Sequence, residues 1–277
     1  MAAMRQNKKS AGTVDPAARQ KKKKLVRGII LLTVLIFLIV GCAAALFWLN
    51  NRMFKENKHF ILRRANIVSN GYWGKGSHTT DRLLRKLNLH INESNLFAIQ
   101  PGQLRSELRS IPNIADAQVK VILPDTLEIN IEERIPRAFI GRPNSPLVTD
   151  ANCVIMNSKE CFGVHPNLPV INGTVHHSMR AGEVHNALRP ALHLIMAVQR
   201  YRCFSVAAVS LSQTDNLLMF IDYRNGSVRR RYHVTMPRGN YPQWLDILQS
   251  AIEDARRHGD DRNRIDLTNK GQVVMSK

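Results

Sequence analysis

Twenty-one consecutive residues, Ile29 to Leu49, carry no charged side chain. At 1.5 Å per residue a helix over that run is about 31 Å long, close to the ~30 Å hydrocarbon core of a bilayer. Trp48 stands at the far end, where an interfacial aromatic belongs. Lys21, Lys22, Lys23, Lys24 and Arg27 precede the run directly. Retention of such charge on the cytoplasmic side puts the N-terminus in the cytoplasm and residues 50–277 outside it, in a single-pass arrangement. Arg52, Lys55, Lys58, Arg63 and Arg64 follow the run and weaken the asymmetry. Two rival readings exist. A cleaved signal peptide has a shorter apolar stretch, of about 7–15 residues. Ile39-Val40-Gly41-Cys42 has the form of a lipoprotein cleavage box with Cys42 lipidated, but apolar sequence continues through Ala43 to Leu49, where a lipoprotein turns polar. An uncleaved transmembrane helix over 29–49 is the better reading.

Residues 1–28 hold nine Lys/Arg against Asp15 alone, so +8 of the formal net charge of +19 sits there and +11 remains for the rest. This basic cytoplasmic tail has no apolar period and reads as disordered. The surplus suits nucleic acid, anionic lipid or an anionic cell-wall polymer. No nucleic-acid motif accompanies it, which sets the first aside.

Residues 50–59 read as a short polar linker. Phe60 to Val68 predicts a strand, followed by a glycine-rich loop from Asn70-Gly71 to Gly76. Thr80 is a candidate N-cap before DRLLRKLNLHI, whose Leu83, Leu84, Leu87 and Ile91 form one stripe. Pro101 opens a second helix with Leu104, Leu108 and Ile111 on one face, and Pro112 ends it. A β-hairpin follows. Ala117, Val119, Val121 and Leu123 alternate with Gln118, Lys120 and, as an exception, the apolar Ile122; Leu127, Ile129 and Ile131 alternate with Glu128, Asn130 and Glu132. A two-residue loop at Pro124-Asp125 would set Val121 against Glu128. A three-residue loop, Pro124-Asp125-Thr126, pairs Leu123 with Leu127, Val121 with Ile129 and Val119 with Ile131, so parity favours the odd loop. Residues 60–135 thus make a small α+β unit.

Beyond Pro136 the texture changes, and residues 136–277 read as a second, β-rich domain. Short apolar runs PLVTD, CVIM and LPVING lie between prolines. A helix is predicted over His185–Arg202, strands near Ser205–Leu211, Leu217–Asp222 and Ser227–Val234 with a turn at Arg224 to Ser227, and another helix from Pro242. The sequence RIDLTNKGQVVM closes with two short strands around Asn269-Lys270-Gly271. The fold class is α+β: a single transmembrane helix, a small α+β domain, and a second domain with an antiparallel sheet and flanking helices.

Catalytic and metal chemistry find little support. His176, His177, His185 and His193 lack a tight ligand pattern, and Cys161-x₃-His165 is as weak. Glu132 and Glu133 are neighbours on a strand and point to opposite faces. No nucleophile–base pair, Walker or dinucleotide motif is present, so the chain reads as a non-enzyme without cofactor, metal or small-molecule substrate. Cys153 and Cys161 flank VIMNSKE, a length a hairpin closes, and form a candidate disulfide outside the cytoplasm, the alternative being buried free thiols. Arg224, Arg229, Arg230, Arg231 and Arg238 cluster at a hairpin. Arg229 and Arg231 share a face opposite Arg230, and that face is either a solvated protective edge or a contact for an acidic partner or anionic polymer.

The order of these features resembles the FtsQ/DivIB family of bacterial cell-division proteins. A basic tail precedes one membrane segment, then SNG, then NLFAIQPGQLRSELRSIPNIADAQVKVILPDTLEINIEERIPRAFI, which looks like the family's POTRA domain. That run ends in the phrase carried by Pro124, Thr126, Leu127, Ile129, Ile131, Glu133, Arg134, Pro136 and Ala138. LVTDANCVI and Ile265-Asp266-Leu267 resemble later signatures, with Asn152-Cys153 near an expected glycine and Thr268 where the family tends to have arginine. The resemblance implies a scaffold of the divisome in the cytoplasmic (inner) membrane at the septum. It would hold FtsB/FtsL-type division proteins and other divisome components, and help regulate septal peptidoglycan synthesis. It also implies that the final edge strand, Gly271-Gln272-Val273-Val274-Met275, accepts a partner strand. An edge strand has unpaired N–H and C=O groups suited to this, with Val273 and Met275 on one face and Gln272 and Val274 on the other. The alternatives are a POTRA-type chaperone or translocation component, and a membrane-anchored cell-wall-binding protein.

Overall fold

A computed structural model describes residues 16–55, 57–173, 178–226, 228–269 and 272–276. It falls into two compact units, residues 1–60 and 61–277.

The described residues of the first unit form one long helix, α1 (Pro16–Asn50), a π-helical turn Asn51–Lys55 and a 3₁₀ turn Lys58–Phe60. The predicted linker is therefore largely helical. The segment Ile30–Phe54 is the helix among the described residues long and apolar enough to cross a membrane. Its apolar side chains, Phe37 and Phe47 among them, are exposed, as a lipid-facing surface requires.

The second unit begins with β1 (Arg64–Val68), α2 (Ser77–Lys86), α3 (Pro101–Ser110), β2 (Ile114–Ile122) and β3 (Thr126–Glu133). The strands form a sheet in the order β1-β3-β2, with β1 parallel and β2 antiparallel to β3. Pro101 occupies the first turn of α3, and Leu104, Leu108 and Ile111 are buried as the periodicity predicts. Two details differ. Gly76, with φ 112°, is the N-cap of α2 and Thr80 lies within the helix; Thr79 and Thr80 both donate their hydroxyls back to Gly76 O. Ile91 falls outside the stripe, 39% exposed, because the helix has already ended at Lys86. The hairpin loop does hold three residues, but they are Leu123, Pro124 and Asp125: Val121 faces Leu127 and Val119 faces Ile129. Parity fixes which residues share a face, and a slip of one full repeat leaves every face unchanged.

Glu133, at the end of β3, accepts hydrogen bonds from Ser69 Oγ (2.5 Å), Tyr72 N (2.8 Å) and Trp73 N (2.8 Å). The backbone of Gly71 lies so close that a Cβ there would sit 2.3 Å from the carboxylate, which is why a glycine stands in SNG. The next residue, Arg134, donates Nη1 to Asp150 Oδ2 at 2.9 Å in a nearly buried ion pair. Asp150 Oδ1 takes the amides of Asn152 and Val154.

Residues beyond Arg134 build one nine-stranded sheet. Its strands are β4 (Ala138–Ile140), β5 (Leu147–Thr149), β6 (Ile155–Asn157), β7 (Val170–Asn172), β8 (Phe204–Ser210), β9 (Asn216–Asn225), β10 (Val228–Pro237), β11 (Arg264–Asp266) and β12 (Val274–Ser276), in the order β12-β11-β10-β9-β8-β7-β4-β5-β6. The sheet is mixed where an antiparallel one was expected, since β4–β7, β7–β8 and β10–β11 are parallel pairs. Two helices, α4 (Arg189–Val198) and α5 (Tyr241–Arg257), cover one face. Leu192, Ile195, Leu245, Leu248 and Ile252 pack there against Val209, Met219, Ile221, Val234 and Ile265. A smaller apolar cluster, with Phe139, Val148, Met156 and Val170, lies apart from it.

The edge strand as candidate partner site

Strand β12 closes one end of the nine-stranded sheet. It runs antiparallel to β11, with Arg264 opposite Ser276, Ile265 opposite Met275 and Asp266 opposite Val274. Nothing among the described residues pairs with its outer side. β11 in turn lies parallel to β10, placing Ile265 beside Val234 in the core. The turn before β12 is set by Asp266, whose Oδ1 accepts from Thr268 N (2.8 Å) and Thr268 Oγ1 (2.7 Å), and by Gln272 N donating to Asn269 O (3.2 Å). Thr268, where an arginine was expected, thus serves the turn.

A groove of about 760 Å³ runs between α5 and β12. Ile247, Ala251, Ala255, Val273 and Met275 supply its apolar lining; Asp246, Asp254, His258, Asp260 and Arg262 supply the polar one. Arg262 braces the strand: its guanidinium grips Asp260 through Nε (2.8 Å to Oδ2) and Nη2 (2.5 Å to Oδ2), and donates Nη1 to Met275 O at 2.9 Å. These bonds, joined by the Arg262 backbone amide, hold the Asp260 carboxyl down to about 2.

The edge residues predicted from sequence divide. Gly271 lies outside the described residues, and Gln272 and Val273 precede the strand, which begins at Val274. Val273 and Val274 are 37% and 42% exposed, while Met275 is half-buried and packs on the main core. Val273 and Met275 both face the groove, as their alternation predicts. Asp260 and Arg262 were missed; the only sequence signal is an acid–base pair two residues apart just before IDL.

Residues 74–134 match the family described as POTRA domain, FtsQ-type. The chain is 29% identical over 133 residues to the cell division protein FtsQ of Novosphingobium aromaticivorans, a stretch covering 45% of this chain and 41% of the relative. It is 30% identical over 69 residues to the cell division protein DivIB of Clostridium tetani, covering 25% and 26%. It is 21% identical over 185 residues to the cell division protein FtsQ of Koribacter versatilis, covering 66% and 52%. These matches support the FtsQ/DivIB family. The chain spans from about a quarter to about half the length of these FtsQ and DivIB relatives. The FtsQ-type POTRA match ends at Arg134, so β12 lies outside it. The apolar helix fits the membrane anchoring of an FtsQ-type protein.

The remaining candidates resolve differently. Cys153 and Cys161 stand free and buried in the structure, in separate apolar clusters, the alternative to the candidate bridge. Cys161 Sγ lies 3.9 Å from Met156 Sδ, and burial pushes its thiol up to about 12. Cys153 adopts φ 66°, a left-handed backbone conformation that glycine takes most easily, beside the position where the sequence resemblance led to a glycine being expected. Arg231 is taken by Asp222 (Nε–Oδ1 2.6 Å, Nη2–Oδ2 2.9 Å), whereas Arg229 is exposed. His176 and His177 fall outside the described residues; His185 bonds Glu183 Oε2 at 3.0 Å.

Proposed function

We propose that this chain is a single-pass, non-catalytic scaffold of the bacterial divisome. Residues 29–49 form its anchor, 60–135 its POTRA domain and 136–277 the partner-binding domain, all of the latter outside the cytoplasm. Its site is the outer side of β12, where a strand of an FtsB/FtsL-type partner adds to the sheet and places side chains in the α5 groove; through that contact it helps regulate septal peptidoglycan synthesis. The observation that carries this reading is the open edge itself: a short strand, held in place by Arg262, with an apolar groove beside it. Main-chain bonds along such an edge give affinity, and the groove gives selectivity.

The test joins localisation to the edge. A fluorescent fusion on the cytoplasmic N-terminus is expected to form a band at the division site in dividing cells. Val274→Pro in the same fusion is expected to retain the folded protein in the membrane but lower capture of the FtsB/FtsL-type partner about tenfold or more, ~1.4 kcal/mol. An even envelope signal from an intact wild-type fusion, or unchanged capture by Val274→Pro, would overturn the reading.

A further inference from the structure

The hairpin of β9 and β10 carries four arginines within eight residues, and the structure sorts them. On the side turned toward α5, Arg230 donates to the carbonyls of Asp260 (3.2 Å) and Asp261 and pairs with the Asp261 carboxylate at 3.2 Å. On the other side Arg231 is held by both oxygens of Asp222. Arg224 and Arg229 are left over. They face each other directly across the ladder, both exposed, and among the described residues neither has an acidic partner. Like charges in directly opposed positions of a strand pair destabilise it. Nothing in the packing requires them, since both side chains stand clear of the core.

These two guanidinium groups border a depression of about 400 Å³ that also includes Ser205, opposite Asp222 on β8. Opposed strand positions hold their Cβ atoms about 5 Å apart, so two arginine forks close on one small anion between them. With Asp222 neutralised by Arg231, the local charge to be balanced is +2. A single carboxylate leaves half of it uncompensated; a dianionic phosphate or a pyrophosphate matches it, and guanidinium geometry favours its bidentate capture. We propose that Arg224 and Arg229, with the Ser205 hydroxyl as an additional donor, form an anion site for a phosphate or pyrophosphate group. The site is separate from the β12 edge and does not depend on partner capture.

The full chain in phosphatidylcholine nanodiscs, titrated with inorganic pyrophosphate in a calorimeter, tests this. Saturable binding is expected. Arg224→Gln with Arg229→Gln is expected to weaken it about tenfold or more, while Lys120→Gln, which removes an exposed charge elsewhere, leaves it unchanged. A second arm replaces part of the lipid with phosphatidylglycerol. Loss of pyrophosphate binding there assigns the site to a lipid headgroup phosphate, and unchanged binding assigns it to a phosphorylated ligand off the bilayer. No saturable binding, or equal weakening by Lys120→Gln, overturns the site.

Discussion

The nine-stranded sheet has two ends, and they are treated in opposite ways. At the β6 end a connecting segment lies along the edge. Ile155 N donates to Glu183 O (2.9 Å), Gly182 N to Ile155 O (2.9 Å) and His185 N to Cys153 O (3.0 Å), with an antiparallel bridge between Val154 and Val184. At the β12 end no described segment does this. Edges are hazards that folded proteins cover, shorten or charge. One end is thus covered by the chain's own backbone, while among the described residues the other is left open beside an apolar groove.

The largest effect is expected from uncovering the protected end. Gly182 has φ 98° and donates its amide to Ile155. Gly182→Pro removes that donor and cannot adopt the angle, and is expected to cost on the order of 2–3 kcal/mol of stability. Denaturant unfolding and sedimentation check this: a lower midpoint with new self-association supports the covering role, and an unchanged midpoint removes it. Val274→Pro at the open end is expected to do the reverse, losing partner capture while the unfolding free energy changes by less than about 1 kcal/mol. Equal destabilisation by the two prolines would erase the contrast.

A smaller effect concerns the brace on β12. The Asp260 carboxyl is lowered by Arg262, so its contribution is complete above the unfolded value near 3.8 and is lost as pH falls through about 2. Protection of the Met275 region in hydrogen exchange is therefore expected to be flat from pH 7 to 5 and to fall only in the window below about 4. A midpoint at 5 or above would mean that Arg262 does not hold Asp260. The smallest effect concerns the covered end. Cys153 and Cys161 flank β6 as free thiols. Unfolding in alkylating reagent without reductant is expected to label both by mass spectrometry, with no change in stability on adding reductant; a bridged peptide would show that a covalent staple helps hold this edge.

Much of this was legible in the sequence because it rests on local periodicity. The anchor, α3 with its proline start, the hairpin faces and α5 all follow from the spacing of apolar residues. What was not legible depends on offsets and on distant segments. The hairpin register slipped by a full repeat that alternation cannot detect. Arg229 and Arg231 share a face as alternation requires, yet only the pairing of Arg231 with Asp222 shows which of them is engaged. The cover over β6 comes from residues some 30 positions away and has no periodic signature. Val154, Ile155 and Met156 are buried on successive positions, a pattern that alternation reads poorly.

The parallel pairing of β1 with β3 has a mechanical consequence. Arg64 to Val68 lies beside Thr126 to Asn130 over five residue pairs, and the chain enters β1 from the anchor while it leaves β3 toward the large sheet. A pull between anchor and sheet drags these two strands in opposite directions along their axes. The load then falls on all their bonds together, in shear, instead of peeling them one at a time. The joint that follows the apolar helix is therefore loaded in the geometry that resists tension best.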